Sequence, residues 1–411
     1  MASSNPAEAG PPAAPVPGGD RTVAVRISLY YAMLFGMVGI VQPYFPVWLQ
    51  SRGLDATEIG LVMAAIMWVR VVSNPVAAGF ADRLGQRKRV VTVLALGGAL
   101  TGLFFPFAFG FWAVLAVAVL HTAIQAPVMP LGDNLILLTA RERGLDYGRM
   151  RLWGSVAFIV TSVAIGAMLA GAGEGLIIWT IVACLFGVFV ATALLPNRPT
   201  PPARRGSRPV AALLRTTPFL FFVLCGGLNM ASHAVLNAFA TIHWRAAGIS
   251  EGVIGLLWAI GVIAEIVVFA YGRHLLGRLG IAGMMALGAG AGVVRWTGLA
   301  FTSDPLALLF FQSLHAFTFG AMHLGAMAFI QQAVPVRLSA TAQALYASIS
   351  MGVAVGLTTM ASGLLYETLA AGAFLVMTLL SLASLGANLA LRRVWRGGEL
   401  TVEPEPARLG A

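Results

Sequence analysis

Charged side chains are scarce in this sequence. Lysine, arginine, aspartate and glutamate make up 10% of the 411 residues, and the 26 basic residues include a single lysine, Lys88. A soluble globular protein carries about 25% charged residues and is about 45–50% apolar. This chain is 58% hydrophobic, with a mean hydropathy of +0.85. The composition excludes an ordinary soluble protein and predicts a chain whose solvent is lipid.

Cysteine is also scarce. Cys184 and Cys225 lie in separate apolar stretches, without a Cys-x-x-Cys pair or a spacing typical of metal ligands, so neither disulfides nor structural zinc are predicted. The sequence also lacks a nucleotide-binding loop, a Gly-x-Ser-x-Gly motif and a cluster of His, Asp and Glu residues. We therefore expect no enzyme activity, no metal and no cofactor.

Long apolar runs dominate what remains. A membrane-spanning helix needs about 20 apolar residues, and twelve stretches of about that length or longer predict an all-α membrane protein with twelve transmembrane helices. They cover approximately residues 24–49, 57–80, 88–108, 112–139, 151–171, 175–195, 217–243, 252–272, 281–301, 305–333, 339–366 and 371–391.

The net charge of +10 is distributed unevenly along the chain. If the N-terminus is cytoplasmic, 22 of the 26 basic residues fall in cytoplasmic segments, and the opposite loops hold only Arg52 and Arg245. This asymmetry follows the positive-inside rule. It predicts that both termini are cytoplasmic and explains the charge without nucleic acid. The excess of arginine over lysine, with abundant Ala and Gly, favours a GC-rich bacterial genome and hence a bacterial inner membrane.

Proline and arginine mark the boundary between two halves. Residues 196–215 carry five prolines and five arginines, which predicts a cytoplasmic linker between six-helix bundles at 21–195 and 216–393. Residues 1–20 are rich in Ala, Pro and Gly, so we expect a disordered tail. Residues 394–411 are expected to form the C-terminal tail.

A weak internal repeat supports the division into halves. Offsets of 194 or 195 residues bring polar residues of the two halves to matching depths, as a binding site between repeats requires. The matched residues are Ile59-Gly60-Leu61 with Ile254-Gly255-Leu256, Arg70 with Glu265, and His121 with His315.

Four charged residues interrupt the apolar stretches. Arg70, Asp133, Glu265 and Arg295 lie within them, and a charge near the centre of a bilayer costs roughly 2.5–3.5 kcal/mol. Their presence predicts a polar cavity inside a transport protein.

A proton could be taken up among these groups. Arginine stays protonated, so Arg295 needs an anion, and Glu265 is the nearest candidate at matching depth. The two could form a purely structural pair, or Glu265 could take up a proton from a low-dielectric site. His315 could also take up a proton, because the ordinary pKa of a histidine already lies near neutral pH.

The loop after the second apolar stretch carries a recognisable motif. Its sequence, Ala78-Gly79-Phe80-Ala81-Asp82-Arg83-Leu84-Gly85-Gln86-Arg87-Lys88-Arg89, resembles the signature loop of the major facilitator superfamily. The matching positions are Asp82, Arg83, Gly85, Arg87 and Lys88, and the departures are Ala78 and Gln86. The resemblance implies the major facilitator fold and a cytoplasmic latch. The alternative is a basic turn that only sets topology.

A second motif narrows the resemblance to one branch. Residues Tyr147-Gly148-Arg149-Met150-Arg151-Leu152-Trp153-Gly154-Ser155 resemble lactose-type sugar symporters, nucleoside symporters and phenylpropionic acid permeases, and the last group fits best. The resemblance implies that Asp133 and Arg151 bind substrate. It also implies that Glu265, Arg295 and His315 continue the site and the proton path.

One departure concerns the proton path. The relatives' proton-carrying glutamate falls at Thr318 here, and threonine cannot titrate. Glu265, Asp133 or His315 would then have to carry the proton.

These features together predict a monomeric importer that moves a small organic, aromatic anion with a proton across the lipid bilayer. The anion's carboxylate would bind Arg70, Arg151 or Arg295. The alternatives are a sugar or nucleoside symporter, an exporter, and a receptor or enzyme embedded in the membrane. The apolar stretch that starts at residue 151 has no proline, which counts against an exporter. The predicted substrate-binding residues are Arg70, Asp133, Arg151, Trp153, Glu265 and Arg295.

Overall fold

The computed structural model describes residues 19–197 and 210–402. Every regular element within these two ranges is helical, and they contain no strand, so the predicted all-α class is confirmed. Residues 1–18 of the predicted N-terminal tail, 198–209 of the linker and 403–411 of the C-terminal tail lie outside the described residues.

Seven α-helices form the described part of the N-terminal half. They are α1 (Gly19–Ser51), α2 (Ala56–Leu84), α3 (Arg87–Gly102), α4 (Gly110–Gln125), α5 (Val128–Arg143), α6 (Tyr147–Ala172) and α7 (Gly175–Leu194).

Residues 210–402 of the C-terminal half form ten α-helices, and several of them join end to end through π-helical or 3-10 turns. They are α8 (Val210–Leu214), α9 (Thr217–Ala231), α10 (Ala234–Ala246), α11 (Glu251–Ala270), α12 (Gly272–Phe301), α13 (Pro305–Ser313), α14 (Met322–Ala333), α15 (Ser339–Tyr346), α16 (Val355–Leu369) and α17 (Ala373–Val394). π-Helical turns at Ala316–Ala321 and Ala347–Ala354 join α13 to α14 and α15 to α16.

Eleven helical segments of the described chain are long and apolar enough to cross a membrane. The last, Val336–Val394, has 59 residues and turns back at Ala370, whose φ is 48°. Tyr346, before this reversal, and Ser384, after it, both contact the same turn of α9. This segment therefore crosses twice, and the described residues make twelve crossings, six in each half.

Two predicted spans are each broken near the middle. The stretch 112–139 forms α4 and α5, because Pro127 lacks the N–H that a continuous helix needs. The stretch 217–243 is interrupted after α9, where the Ser232 hydroxyl donates to the Asn229 carbonyl. Such local side-chain bonds compete with the helix ladder.

Parts of the predicted linker and C-terminal tail are ordered. Leu213 of α8 is fully buried, and the Leu400 N–H donates to the Ala333 carbonyl at 2.7 Å. Both segments therefore pack on the C-terminal half.

The halves share a core at one side only. The termini side is defined as the side on which α1 begins and α17 ends, and the far side is its opposite. On the far side one core combines both halves, with Trp48 and Trp258 among its members. On the termini side each half has its own core, drawn from residues 23–195 or from residues 213–402. The cleft between the halves therefore opens toward the termini side.

Glycines allow the helices of the two halves to meet closely on the far side. A β-carbon on Gly60 of α2 would lie 2.9 Å from the Gly363 Cα of α16. On the other flank, a β-carbon on Gly255 of α11 would overlap the Ser162 carbonyl oxygen of α6. Because glycine lacks a β-carbon, the backbones approach directly at both crossings.

Replacing Gly60 with valine should hold the far side open, because the added side chain overlaps the α16 backbone. The measurement is labelling of a cysteine at Ile254, a fully buried position in the shared core, in a background without native cysteines. A membrane-impermeant maleimide applied from the far side should label it several times faster. Gly79→Val on the same helix is the control, since a β-carbon there meets nothing within 4 Å. Equal labelling in both variants would contradict the closure described here.

Candidate functional site

Arg295 is the most deeply buried ionised group of the cleft. It is 1% exposed, and its guanidinium donates to Gln312 Oε1 at 2.8 Å and to Thr318 Oγ1 at 2.9 Å. A third contact joins Arg295 Nη1 to His315 Nδ1 at 3.3 Å, and the Trp296 ring lies 4.6 Å away. All three acceptors are neutral, so the charge is solvated by dipoles of the protein.

His315 connects Arg295 to Glu265. His315 Nε2 lies 3.5 Å from Glu265 Oε2. Since a guanidinium only donates, His315 Nδ1 must accept, and the proton of the neutral ring sits on Nε2, facing the carboxylate. The direct Arg295–Glu265 pair expected from the sequence is thus replaced by a bridged pair, because His315 occupies the space between them. The His315 and Glu265 side chains remain 21% and 19% exposed.

A second branch of this network runs through Thr318. Its hydroxyl accepts from Arg295 and lies 3.1 Å from His233 Nε2, while His233 Nδ1 contacts the Asn229 carbonyl at 3.0 Å. Asn229 in turn donates to the Thr318 carbonyl at 2.7 Å. Sequence reasoning did not place His233 in the site, although an ionisable residue within the apolar stretch 217–243 is a signal of a polar site.

The N-terminal half presents a separate polar cluster. Tyr31 donates from its hydroxyl to Asp133 Oδ1 at 2.8 Å, and Asp133 lies within electrostatic range of Arg151. The Arg151 guanidinium lies 3.6 Å from the Phe35 ring centre and 5.4 Å from that of Tyr31. Asp133 and Arg151 are therefore brought together, with Tyr31 between them. No motif in the sequence distinguishes Tyr31 from the other aromatic residues.

Arg70 stands apart from both clusters. It is exposed on α2, and its guanidinium has no hydrogen-bond or ion-pair partner among the described residues. His121 lies within electrostatic range, and its Nδ1 is 3.2 Å from Thr101 Oγ1. Asn74, one turn along α2 from Arg70, has a buried Oδ1 without a partner.

Trp153 does not join these clusters. Two residues turn a helix by roughly 200°, so Trp153 lies on nearly the opposite face of α6 from Arg151. It is 56% exposed beside Val156 and Val160, whereas Gly154 and Phe158 form the buried face. Trp153 therefore belongs to the apolar outer surface of α6 and not, as the sequence predicted, to the substrate-binding cluster around Arg151.

The signature loop is held by one ion pair and one glycine. Asp82 accepts from Arg87 at 2.7 Å, and Arg87 also donates to Asn134 of α5. Gly85 has φ 63° and ends α2, a left-handed conformation that favours glycine. Arg83 is exposed. The contacts of Asp82 and Arg87 stay within the N-terminal half, so the predicted latch does not bridge the halves in this conformation.

An ion pair joins the halves on the far side instead. Arg245, at the end of α10, donates to Glu174 Oε1 at 2.9 Å and to Glu251 Oε1 at 3.2 Å. Glu174 belongs to the N-terminal half and Glu251 begins α11. The hydrogen bond from Arg245 lowers the pKa of the Glu174 carboxyl.

This lowered pKa predicts a pH dependence of far-side closure. The contribution of Glu174 is present above its ordinary pKa of about 4.3 and is lost as the pH falls through the lowered value. A surface pair contributes at most roughly 1 kcal/mol, so the effect should be modest. Spin labels at Ala172 and Ala247, exposed far-side positions of the two halves, should move apart when the far-side pH is lowered below 4. In Glu174→Gln, the distance between the labels should start larger and respond less to pH, and a response identical to wild type would refute the role of this pair.

Comparison with known proteins agrees with this architecture. The sequence pattern of the MFS_1 like family matches residues 24–376. The chain belongs to the major facilitator superfamily.

Individual relatives cover most of the chain. A probable 3-phenylpropionic acid transporter of Escherichia coli (strain K12) is 32% identical over 378 residues, which are 87% of this chain and 95% of that protein. A maltose permease of Geobacillus stearothermophilus is 25% identical and covers 84% of this chain and 88% of its own. A solved structure of a mutant nucleoside transporter NupG has a TM-score of 0.82 at 17% identity, covering 90% of this chain and 99% of that one, and shows the same fold.

These comparisons confirm the predicted superfamily and its two-bundle fold. The protein is a secondary transporter of a small-molecule substrate and not an enzyme. It is a multi-pass membrane protein, and its bacterial relatives indicate an inner membrane.

Proposed function

We propose that this transporter imports a small aromatic carboxylate together with a proton. The observation that carries the proposal is the Arg295–His315–Glu265 bridge, in which an accessible carboxylate is tied to a buried arginine through a neutral histidine. Such an arrangement can gain one proton on the carboxylate while the guanidinium keeps its hydrogen bonds to Gln312, Thr318 and His315.

Charge balance in the cleft favours an anion. Three arginines, Arg70, Arg151 and Arg295, face two carboxylates, Asp133 and Glu265, which leaves one positive charge in excess. A monoanion would neutralise that excess. Moving an anion inward against an inside-negative potential costs about 2.3 kcal/mol per 100 mV, and a co-transported proton cancels this cost.

Glu265 is the group we assign to carry the proton. Protonating His315 would require Nδ1 to become a donor, and Nδ1 faces the Arg295 guanidinium, which can only donate. The Glu265 carboxylate has no such conflict. His315 then positions Glu265 and relays its interaction to Arg295, a narrower role than the sequence predicted. Asp133, already bonded to Tyr31, serves substrate binding in this scheme.

Aromatic rings near the N-terminal cluster support an aromatic substrate. Tyr31, Phe35 and Tyr147 lie around Arg151, so a ring could stack beside a guanidinium, where cation–π attraction is favourable. The name of the Escherichia coli relative, a probable 3-phenylpropionic acid transporter, supports the same class of substrate.

The direction of the open cleft fits an inward-facing state. With both termini in the cytoplasm, as the positive-inside rule favours, the termini side faces the cytoplasm and the far side is sealed. We assign Asp82, Arg83, Gly85 and Arg87 to a latch that engages the other half only when the cleft closes on the cytoplasmic side. The protein would act as a monomer that needs only the substrate, protons and the bilayer, and no nucleic acid.

A sugar or nucleoside symporter is the second candidate. The Tyr31–Asp133 hydrogen bond places an acceptor that could bind substrate hydroxyl groups, and the similarity to a maltose permease favours the same class.

Uptake into sealed proteoliposomes tests the main proposal. Radiolabelled 3-phenylpropionate should accumulate when the interior is made alkaline, and Glu265→Gln should abolish accumulation because an amide takes up no proton. Exchange of substrate across the membrane at equal pH should survive in that variant, since its amide keeps the shape of the site.

Glu399→Gln is the matched control, since Glu399 is exposed beyond α17, and it should accumulate substrate normally. Accumulation by Glu265→Gln at the wild-type level would contradict the proton assignment. Uptake of maltose or nucleosides, with none of aryl acids, would favour the second candidate.

A further inference from the structure

We infer that Arg70 is the anchor for the substrate carboxylate, with His121 beside it, so that anion and proton bind at equivalent positions of opposite halves. This inference rests on the proposed function. It selects one of the three arginines that the sequence left open.

Arg295 is already occupied. Its two terminal nitrogens donate to Gln312, Thr318 and His315, and it is 1% exposed. Only its Nε lacks a partner, and a bidentate bond to a carboxylate needs two adjacent N–H groups. A substrate reaching Arg295 would have to break the bridge that holds Glu265.

Arg151 is partly occupied. Its guanidinium is stacked on Phe35 at 3.6 Å and attracted by Asp133. A substrate carboxylate at Arg151 would be repelled by Asp133. The better use of this pair is recognition of the rest of the substrate.

Arg70 has neither restriction. It is exposed and has no hydrogen-bond or ion-pair partner among the described residues. On α2, Trp68 lies against α16 and Val71 against the π-helical turn before it, while Val72 and Val76 line an apolar groove against α3. Arg70 lies between these two faces, on the side that faces the interior and His121. An unpaired guanidinium at this depth needs water or an anion.

The internal repeat gives independent support. Three residues of the N-terminal half match three residues of the C-terminal half. Thr101 precedes Arg295 by 194 residues, His121 precedes His315 by 194, and Arg70 precedes Glu265 by 195. In each half the histidine Nδ1 contacts the first member of its set, at 3.2 Å from Thr101 and at 3.3 Å from Arg295. The third member is a base in the N-terminal half and an acid in the C-terminal half. The repeat thus places a cation and an anion at equivalent positions of the two halves.

The opposite charges of Arg70 and Glu265 have a physical consequence for transport. In the empty cleft both Arg70 and Glu265 are charged without a direct ion-pair partner of opposite sign. A carboxylate on Arg70 and a proton on Glu265 would neutralise both groups. Because the anion and the proton enter together, the loaded site keeps the net charge of the empty one. Neither Arg70 nor Glu265 is then left charged and unpaired when the halves close, which makes co-transport more favourable than movement of either species alone.

Binding to the purified full-length protein separates the candidates. The ligands are 3-phenylpropionate and its neutral amide, 3-phenylpropionamide. Arg70→Gln should weaken binding of the acid by about 10- to 100-fold, the effect of losing a charge-assisted hydrogen-bond pair. Binding of the amide should change less than twofold, which a general loss of structure would not produce.

Two further variants complete the test. Arg70→Lys keeps the charge and should recover part of the affinity for the acid. Arg89→Gln, at the end of the apolar groove between α2 and α3, should bind the acid like wild type. Acid binding that survives Arg70→Gln but is lost in Arg151→Gln would overturn the assignment and leave the proposed function intact. A wild-type protein that binds neither ligand would overturn both the aromatic-acid function and this anchor.

Discussion

The cost of placing an ionised group in hydrocarbon governs the arrangement of this protein. Arg295 offsets this cost through hydrogen bonds to neutral acceptors, one of which is His315, and His315 in turn contacts Glu265. The hydrogen bond from Tyr31 offsets this cost for Asp133, and exposure to the cleft offsets it for Arg70. A buried charge stripped of its partners is strongly destabilising. The charged groups can therefore exist only if two helical bundles enclose polar space between them.

That polar space requires the halves to be held together at one side and free at the other. The far side is joined by a shared core, by backbone contact at Gly60 and Gly255, and by Arg245 bridging Glu174 and Glu251. The termini side has two separate cores. If one bundle rocks against the other, the far side would open and the termini side would close, while the midplane site stays in place.

The sequence predicts the parts of this structure that depend on one helix at a time. Hydrocarbon thickness makes each crossing visible as an apolar run, and the glycine turn at Gly85 is local. Features that depend on packing between helices cannot be predicted from the sequence in this way. α12 begins at Gly272, nine residues before the predicted span, and bends at Gly280 with φ 67°, because helix formation at the membrane edge needs no apolar run. The bridging position of His315 depends on packing between helices, which spacing alone does not specify.

The central claim is that the charged groups within the membrane share one water-filled cleft open to the termini side. Its most direct test is labelling of single cysteines placed at positions 133 and 265, in a background without native cysteines, with a charged impermeant reagent. The account predicts rapid labelling of both positions from the termini side. Cysteines at Val76 and Val160, on the outer apolar surfaces, should remain unlabelled. Reaction at the outer positions with protection of 133 and 265 would contradict the account.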